Sequence, residues 1–147
     1  MKLTRILIVC AALCVTATAI AHHSFALFDR SRITTLNGTV KTWKWANPHT
    51  WLMVVVRKPD GSDEEWALVA SSPNMMSRWG WNAADISVGD KVLVDIYPAR
   101  DGKPIGALKT VFLPSGKVLT DPAGASGDAL ASGPTRVPTK PEGVMYP

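Results

Sequence analysis

Apolar and polar positions alternate along most of the middle of this chain, and the alternation predicts strands. From Thr34 to Trp45, Leu36, Gly38, Val40 and Thr42 share one face, while Trp43 and Trp45 share the other. The apolar face therefore switches near Thr42, which predicts a bulge or bend: one extra residue moves all later side chains to the opposite face. Gly38 is a second place where this strand can bend. The run 49–57 contains Trp51-Leu52-Met53-Val54-Val55-Val56, apolar on both faces, and predicts a central strand. Residues 64–70 place Trp66 and Leu68 on one face and Glu65 and Ala67 on the other. Residues 91–97 turn Val92, Val94 and Ile96 inward and Lys91 and Asp95 outward. Residues 107–113 form the next strand, and Lys117-Val118-Leu119 a short edge.

The punctuation fits this reading. Asn47-Pro48 ends the first strand, because proline removes a donor and holds its predecessor extended. Pro59-Asp60-Gly61-Ser62 and Arg100-Asp101-Gly102-Lys103 are hairpin turns. Residues 72–80 predict one short helix, capped by Ser72, opened by Pro73 and stopped by Gly80, with Met75 and Trp79 covering one end of a core. The order is strand, strand, strand, short helix, strand, strand. A helix between the third and fourth of five strands is the order of an OB-like β-barrel, here mostly β with five to six strands. A plain β-sandwich is the competing architecture.

The ends of the chain read differently. Residues 1–21 carry a basic start, an apolar run from Ile6 to Val15 and small-x-small cleavage patterns ending at Ala19 and Ala21. This predicts a cleavable signal peptide and export to the periplasm or beyond. The run is shorter than the roughly 20 residues of a membrane-spanning helix. Cleavage after Ala21 is favoured over Ala19. Cys10 and Cys14 both lie in this segment, so the mature protein is expected to have no disulfide and no cysteine ligand or nucleophile. Residues 22–120 form the expected barrel domain with its lead-in. Residues 121–147 are rich in Ala, Gly, Ser and Pro, and predict a disordered tail.

Charge then narrows the function. The chain has 16 Lys and Arg against 12 Asp and Glu. Removing Lys2 and Arg5 leaves 14 against 12, or +2, which with export argues against a nucleic-acid partner. No membrane span is expected after cleavage.

The three histidines fall in two places, His22 and His23 at the expected mature amino terminus and His49 at the first strand-to-strand turn. If His22 is the first residue, its α-amine and Nδ1 can chelate one metal ion, and an amine with a pKa near ~8 competes only modestly with protons at neutral pH. His49, or His23, would supply a third nitrogen. Such a donor set suits Cu(II) first, with Zn or Ni behind, and Asn47 could orient the His49 ring. The plainer reading is a free histidine pair at a mobile end and a His49 that closes a strand beside Trp51. Trp43, Trp45 and Trp51 likewise read either as core cover or as an aromatic platform for a ligand or an envelope-protein partner. No nucleophile motif or Gly-rich phosphate loop is present, and Asp63-Glu64-Glu65 reads as a solvated patch. An enzyme is the least supported class.

The set Ala21-His22-His23-Ser24-Phe25, Phe28-Asp29, Leu36, Gly38, Val40, Trp45, Asn47-Pro48-His49, Trp51, Glu65-Trp66, Ser72-Pro73-Asn74, Gly80-Trp81, Gly89-Asp90-Lys91-Val92 and Arg100-Asp101-Gly102 resembles a family of small exported bacterial proteins classed as a domain of unknown function. The resemblance covers about residues 21–119. It implies an exported β-rich domain, and its His-His-Ser and Asn-Pro-His motifs fall on His22, His23, Ser24 and on Asn47, Pro48, His49. It brings no activity or ligand.

Overall fold

A computed structural model describes residues 25–122. The expected signal segment, His22, His23 and the tail beyond Pro122 lie outside the described residues. A single 3-10 turn, Phe25–Leu27, leads into β1 (Thr34–Lys44), β2 (Trp51–Arg57) and β3 (Asp63–Val69). The helix α1 (Pro73–Arg78) and a second 3-10 turn (Ala83–Asp85) follow, then β4 (Lys91–Pro98), β5 (Ile105–Phe112) and β6 (Val118–Thr120).

The strands pair in the order β3-β2-β1-β4-β5-β6, and a parallel pairing of β3 with β5 closes the first five into a barrel. This is the OB order that the element sequence predicts, with β6 added as a short edge beside β5. Closure removes the exposed strand edges that an open sheet would carry. It also explains why β5 begins at Ile105, two residues before the expected Ala107. Ala67 pairs with Ile105 and draws the start of β5 into the sheet, a contact set by a strand far away in sequence.

β1 is long because it serves both sides of the barrel. Thr34–Thr39 pair with β4, and Gly38–Lys44 pair with β2. The β1–β2 register steps from Val40↔Val54 to Thr42↔Met53, so Lys41 is the extra residue of a bulge. The bulge brings Val40 and Trp43 to the same inner face, as the pattern switch near Thr42 requires. Gly38 does something other than bend the strand. A Cβ there would lie 2.4 Å from Val54 Cγ1 and 2.5 Å from the Val55 carbonyl oxygen, so only glycine lets β2 approach this closely.

The barrel interior is aliphatic. Leu36, Val40, Leu52, Val54, Leu68, Val92, Val94, Ile96, Leu108 and Val111 fill it, and Met76, Trp81 and Leu119 close one end. Each such side chain contributes about 1.5–3 kcal/mol when fully removed from water. The short helix supplies its cover differently from the expectation. Met76 is the buried residue and Met75 is exposed, while Trp79 packs half-buried against the core. Ser72 makes no side-chain cap, although Pro73 opens the helix and Gly80 ends it at φ +84°. The side-chain cap belongs to the next turn: Asn82 Oδ1 accepts from Ala84 N at 3.0 Å, and Asp85 Oδ2 accepts from Asn82 N at 2.8 Å.

The chain stays in the barrel as far as Asp121. Its N–H donates to the Lys109 carbonyl at 2.8 Å, and its buried carboxylate accepts from Ser71 N at 2.7 Å and Ser71 Oγ at 2.9 Å. A buried charge is tolerated when hydrogen bonds replace the lost water. The effect is to pin the end of β6 to the corner between β3 and α1.

Candidate metal-binding end of the barrel

The turn from β1 to β2 runs through Trp45-Ala46-Asn47-Pro48-His49-Thr50, with the Asn47–Pro48 peptide cis. Asn47 and Pro48 are exposed, His49 is half-buried and Thr50 is fully buried. The Thr50 backbone is satisfied, its N–H donating to Ser71 O at 3.1 Å and its carbonyl accepting from Ala70 N at 2.9 Å. The two side chains are not. His49 Nδ1 and Thr50 Oγ1 are both buried and meet no hydrogen-bond partner among the described residues. A buried polar atom left unpaired costs about 1–3 kcal/mol, and here two such atoms lie on adjacent residues. Asn47 does not bond the His49 Nδ1, so the expected orienting contact is not made there.

Next to this turn the chain builds a second, smaller apolar cluster. Phe28, Val69, Tyr97, Ala99 and Ala107 form it, and Trp51 and Ile105 pack half-buried against it. Phe28 belongs to the N-terminal lead-in, which is strapped to the β4–β5 hairpin. Phe28 forms an antiparallel bridge with Ala99, Asp29 N donates to Pro98 O at 2.8 Å, and Arg100 N donates to Leu27 O at 2.9 Å. The Arg100 side chain adds a 3.3 Å hydrogen bond from Nε to Ala26 O and a 3.9 Å ion pair with Asp29. The lead-in and the residue two places after His49 thus share one hydrophobic cluster.

Asp29 also accepts from Ser31 Oγ at 2.6 Å and Ser31 N at 3.1 Å. These bonds, and then the Arg100 charge, hold its carboxyl below the usual 3.8. A carboxylate with a depressed folded pKa stabilises fully above its ordinary value, and the contribution disappears as pH falls through the depressed one. Asp29→Asn is therefore expected to lower the unfolding midpoint at neutral pH, and to match the wild type once acid has protonated Asp29. Thermal melts from pH 7 down to acid check this, and a constant difference across that range would contradict it.

The tryptophans divide into two groups. Trp43 stacks on Trp81 at 6.2 Å between centroids, meets Trp45 at 5.5 Å, and donates from Nε1 to Ala83 O at 3.0 Å. Trp43 and Trp45 pack against the main core, whereas Trp51 belongs to the small cluster. Asp63, Glu64 and Glu65 each pair with a base, Arg57, Lys58 and Lys41 respectively. Exposed pairs of this kind contribute about 0–1 kcal/mol each.

Among the described residues, no three His, Cys, Asp or Glu side chains are placed to hold a metal. Of the expected ligands only His49 is described; His22 and His23 lie outside the described residues. Among the described residues no helix is long and apolar enough to cross a membrane. Sequence reasoning missed the unpaired Thr50 and the Ser71–Asp121 contact. Nothing local signals either one, because both depend on strands meeting across the barrel.

Comparison with protein families places residues 11–109 in a family of unknown function (DUF6152). The chain belongs to that family. The matched span takes in both the His-His-Ser and the Asn-Pro-His segments and reaches into β5. No curated protein and no solved structure matches the chain.

Proposed function

We propose that this is an exported, non-enzymatic β-barrel that holds Cu(II), or another divalent metal, between the mature N-terminal His22 and His49. The observation that carries the reading is the buried Nδ1 of His49, without a partner among the described residues, at the end of the barrel where the lead-in is tied down. An imidazole nitrogen that makes no hydrogen bond can bind a metal in the tautomer that leaves its lone pair free, and copper ranks above zinc for nitrogen donors. His22 lies three residue steps before Phe25, a reach of about 10 Å when extended. With cleavage after Ala21, the His22 amine and ring would give two nitrogens and His49 the third, with His23 as a spare. The test is Cu(II) titration of the processed protein, followed by electron paramagnetic resonance (EPR). One tight equivalent with a nitrogen-rich spectrum supports the reading, and binding no tighter than that of a free His-His-Ser peptide overturns it.

Arg100 has a part in this proposal, because it fixes the direction in which the lead-in leaves the barrel. Arg100→Ala is expected to weaken copper binding about tenfold, the size of effect typical of groups that orient ligands. The EPR spectrum should keep its nitrogen pattern. Unchanged affinity would show that the strap does not position the site.

A second reading is an interaction module of the cell envelope that meets a protein partner through Trp43 and Trp45. It is favoured by their half-exposed rings at the barrel edge. Tryptophan fluorescence separates the two readings. Copper beside Trp51 should quench emission up to one equivalent, whereas a protein-docking face predicts no stoichiometric quench.

A further inference from the structure

A cleft on the barrel surface lies well away from His49. It holds about 450 Å³ on the outer face of the sheet, where β1 runs between β2 and β4. Asn37 and Thr39 form its floor on β1, Val55 and Arg57 one wall on β2, Lys91 the other wall on β4, and Asp63 closes the β3 side. Arg57 lies six residues along β2 from Trp51, about 20 Å at strand spacing. The cleft is therefore separate from the turn at His49.

Register explains why these groups converge. Thr39 pairs with Val55 on one side and with Lys91 on the other. One step beyond the Gly38–Val56 pair, Arg57 comes level with Asn37. Strands β2 and β4 flank β1, so their side chains stand about 10 Å apart across the cleft. That gap suits one small molecule.

The chemistry of the walls selects the molecule. Arg57 is held in place by Asp63, 2.8 Å from its Nε, and by the Gly61 carbonyl, 2.7 Å from one terminal nitrogen. Its remaining N–H groups are not used by those two contacts, since a guanidinium carries five. Lys91 Nζ donates to Thr39 Oγ1 at 2.9 Å and has no carboxylate partner among the described residues. Two cations against one carboxylate leave the lining at +1 (2 − 1), with the Asn37 amide as a further donor. Fixed donors carrying net positive charge are what an oxyanion requires.

We infer that this cleft binds a small oxyanion, carboxylate or phosphate, between Arg57 and Lys91. The site is independent of the copper reading. Its test is a two-dimensional ¹H–¹⁵N NMR titration of the full chain with inorganic phosphate and, separately, with citrate, at ionic strength held constant with sodium chloride. Saturable shifts are expected at the amides of Asn37, Thr39, Arg57 and Lys91. Arg57→Met and Lys91→Met should each weaken binding about tenfold, the value of one charge-assisted hydrogen bond. Lys91→Arg should restore it, and Lys44→Met should leave it unchanged. Both wall side chains are at the surface, so the variants should keep the wild-type spectrum elsewhere. Saturation by phosphate alone or by citrate alone identifies the oxyanion. Shifts that do not saturate, or that saturate equally in both methionine variants, overturn the proposal.

Discussion

Gly38→Ala is expected to destabilise the barrel by about 3 kcal/mol, the upper end of what overpacking costs. The new Cβ would sit 2.4 Å from Val54 Cγ1 and 2.5 Å from the Val55 carbonyl oxygen. Neither neighbour can yield cheaply. Val54 is fully buried and its β-branched side chain has one dominant rotamer in most settings, while the Val55 oxygen is part of the β2 backbone. Relief would require β1 and β2 to part at the position where β1 also pairs with β4. Gly106→Ala provides the comparison. Its closest neighbour is Ile96 Cδ1 at 2.7 Å, the far end of a flexible side chain, and the backbone contact to Tyr97 O is at 3.1 Å. That change should cost about 1 kcal/mol. Urea unfolding of the two variants measures the difference directly. Gly38→Ala within experimental error of Gly106→Ala would contradict the close-approach account of β1 and β2. Since whole domains are stable by only about 5–15 kcal/mol, the Gly38 variant should also show reduced yield.

The second large effect concerns His49. His49→Phe keeps a ring of similar size and removes both nitrogens. In the metal-free protein it should leave stability unchanged or raise it by about 1 kcal/mol, because it deletes a buried polar atom that has no partner among the described residues. Under the copper reading the same change removes one of three ligands. Affinity should then fall by on the order of a hundredfold or more, at least the cost of disturbing a group that merely orients a ligand. Stability rising while copper binding is lost is the pattern of a functional residue that the fold alone does not favour. A purely structural His49 predicts the opposite pattern, a clear loss of stability with unchanged copper affinity. His22→Ala should lower copper affinity to a similar degree with no change in the melting of the barrel.

Local rules carried the sequence reading wherever the cause was local. The alternation of Val92, Val94 and Ile96, the face switch between Val40 and Trp43, and the glycine after the Pro59-Asp60 turn each report a geometry made by neighbouring residues. The structure has β4, the β1 bulge and the β2–β3 turn at those places. The order of the elements was enough to suggest the barrel, since few arrangements place one short helix between the third and fourth strands.

Where partners are distant the sequence was silent. β5 starts early because β3 pairs with it in parallel, and Ser71 finds Asp121 fifty residues later. Ser72-Pro73 had the composition of a cap, yet the hydroxyl is unused, and the working cap is Asn82 with Asp85. Met75 and Met76 show the same limit. Adjacent methionines offer no local reason to choose one, and the barrel end accepts Met76. At the candidate site the sequence pointed to His49 and Asn47 through residue type and turn position. It could not show that the Nδ1 of His49 and the hydroxyl of Thr50 would both be buried without partners among the described residues.

The central claim is that processing at Ala21 creates a metal ligand that works with His49. Intact mass of the secreted protein, followed on the same sample by Cu(II) titration with EPR detection, tests it most directly. The account predicts a chain beginning at His22 and a single nitrogen-rich copper centre that His49→Phe abolishes. A chain beginning at Ile20, or copper bound equally well by wild type and His49→Phe, would contradict it.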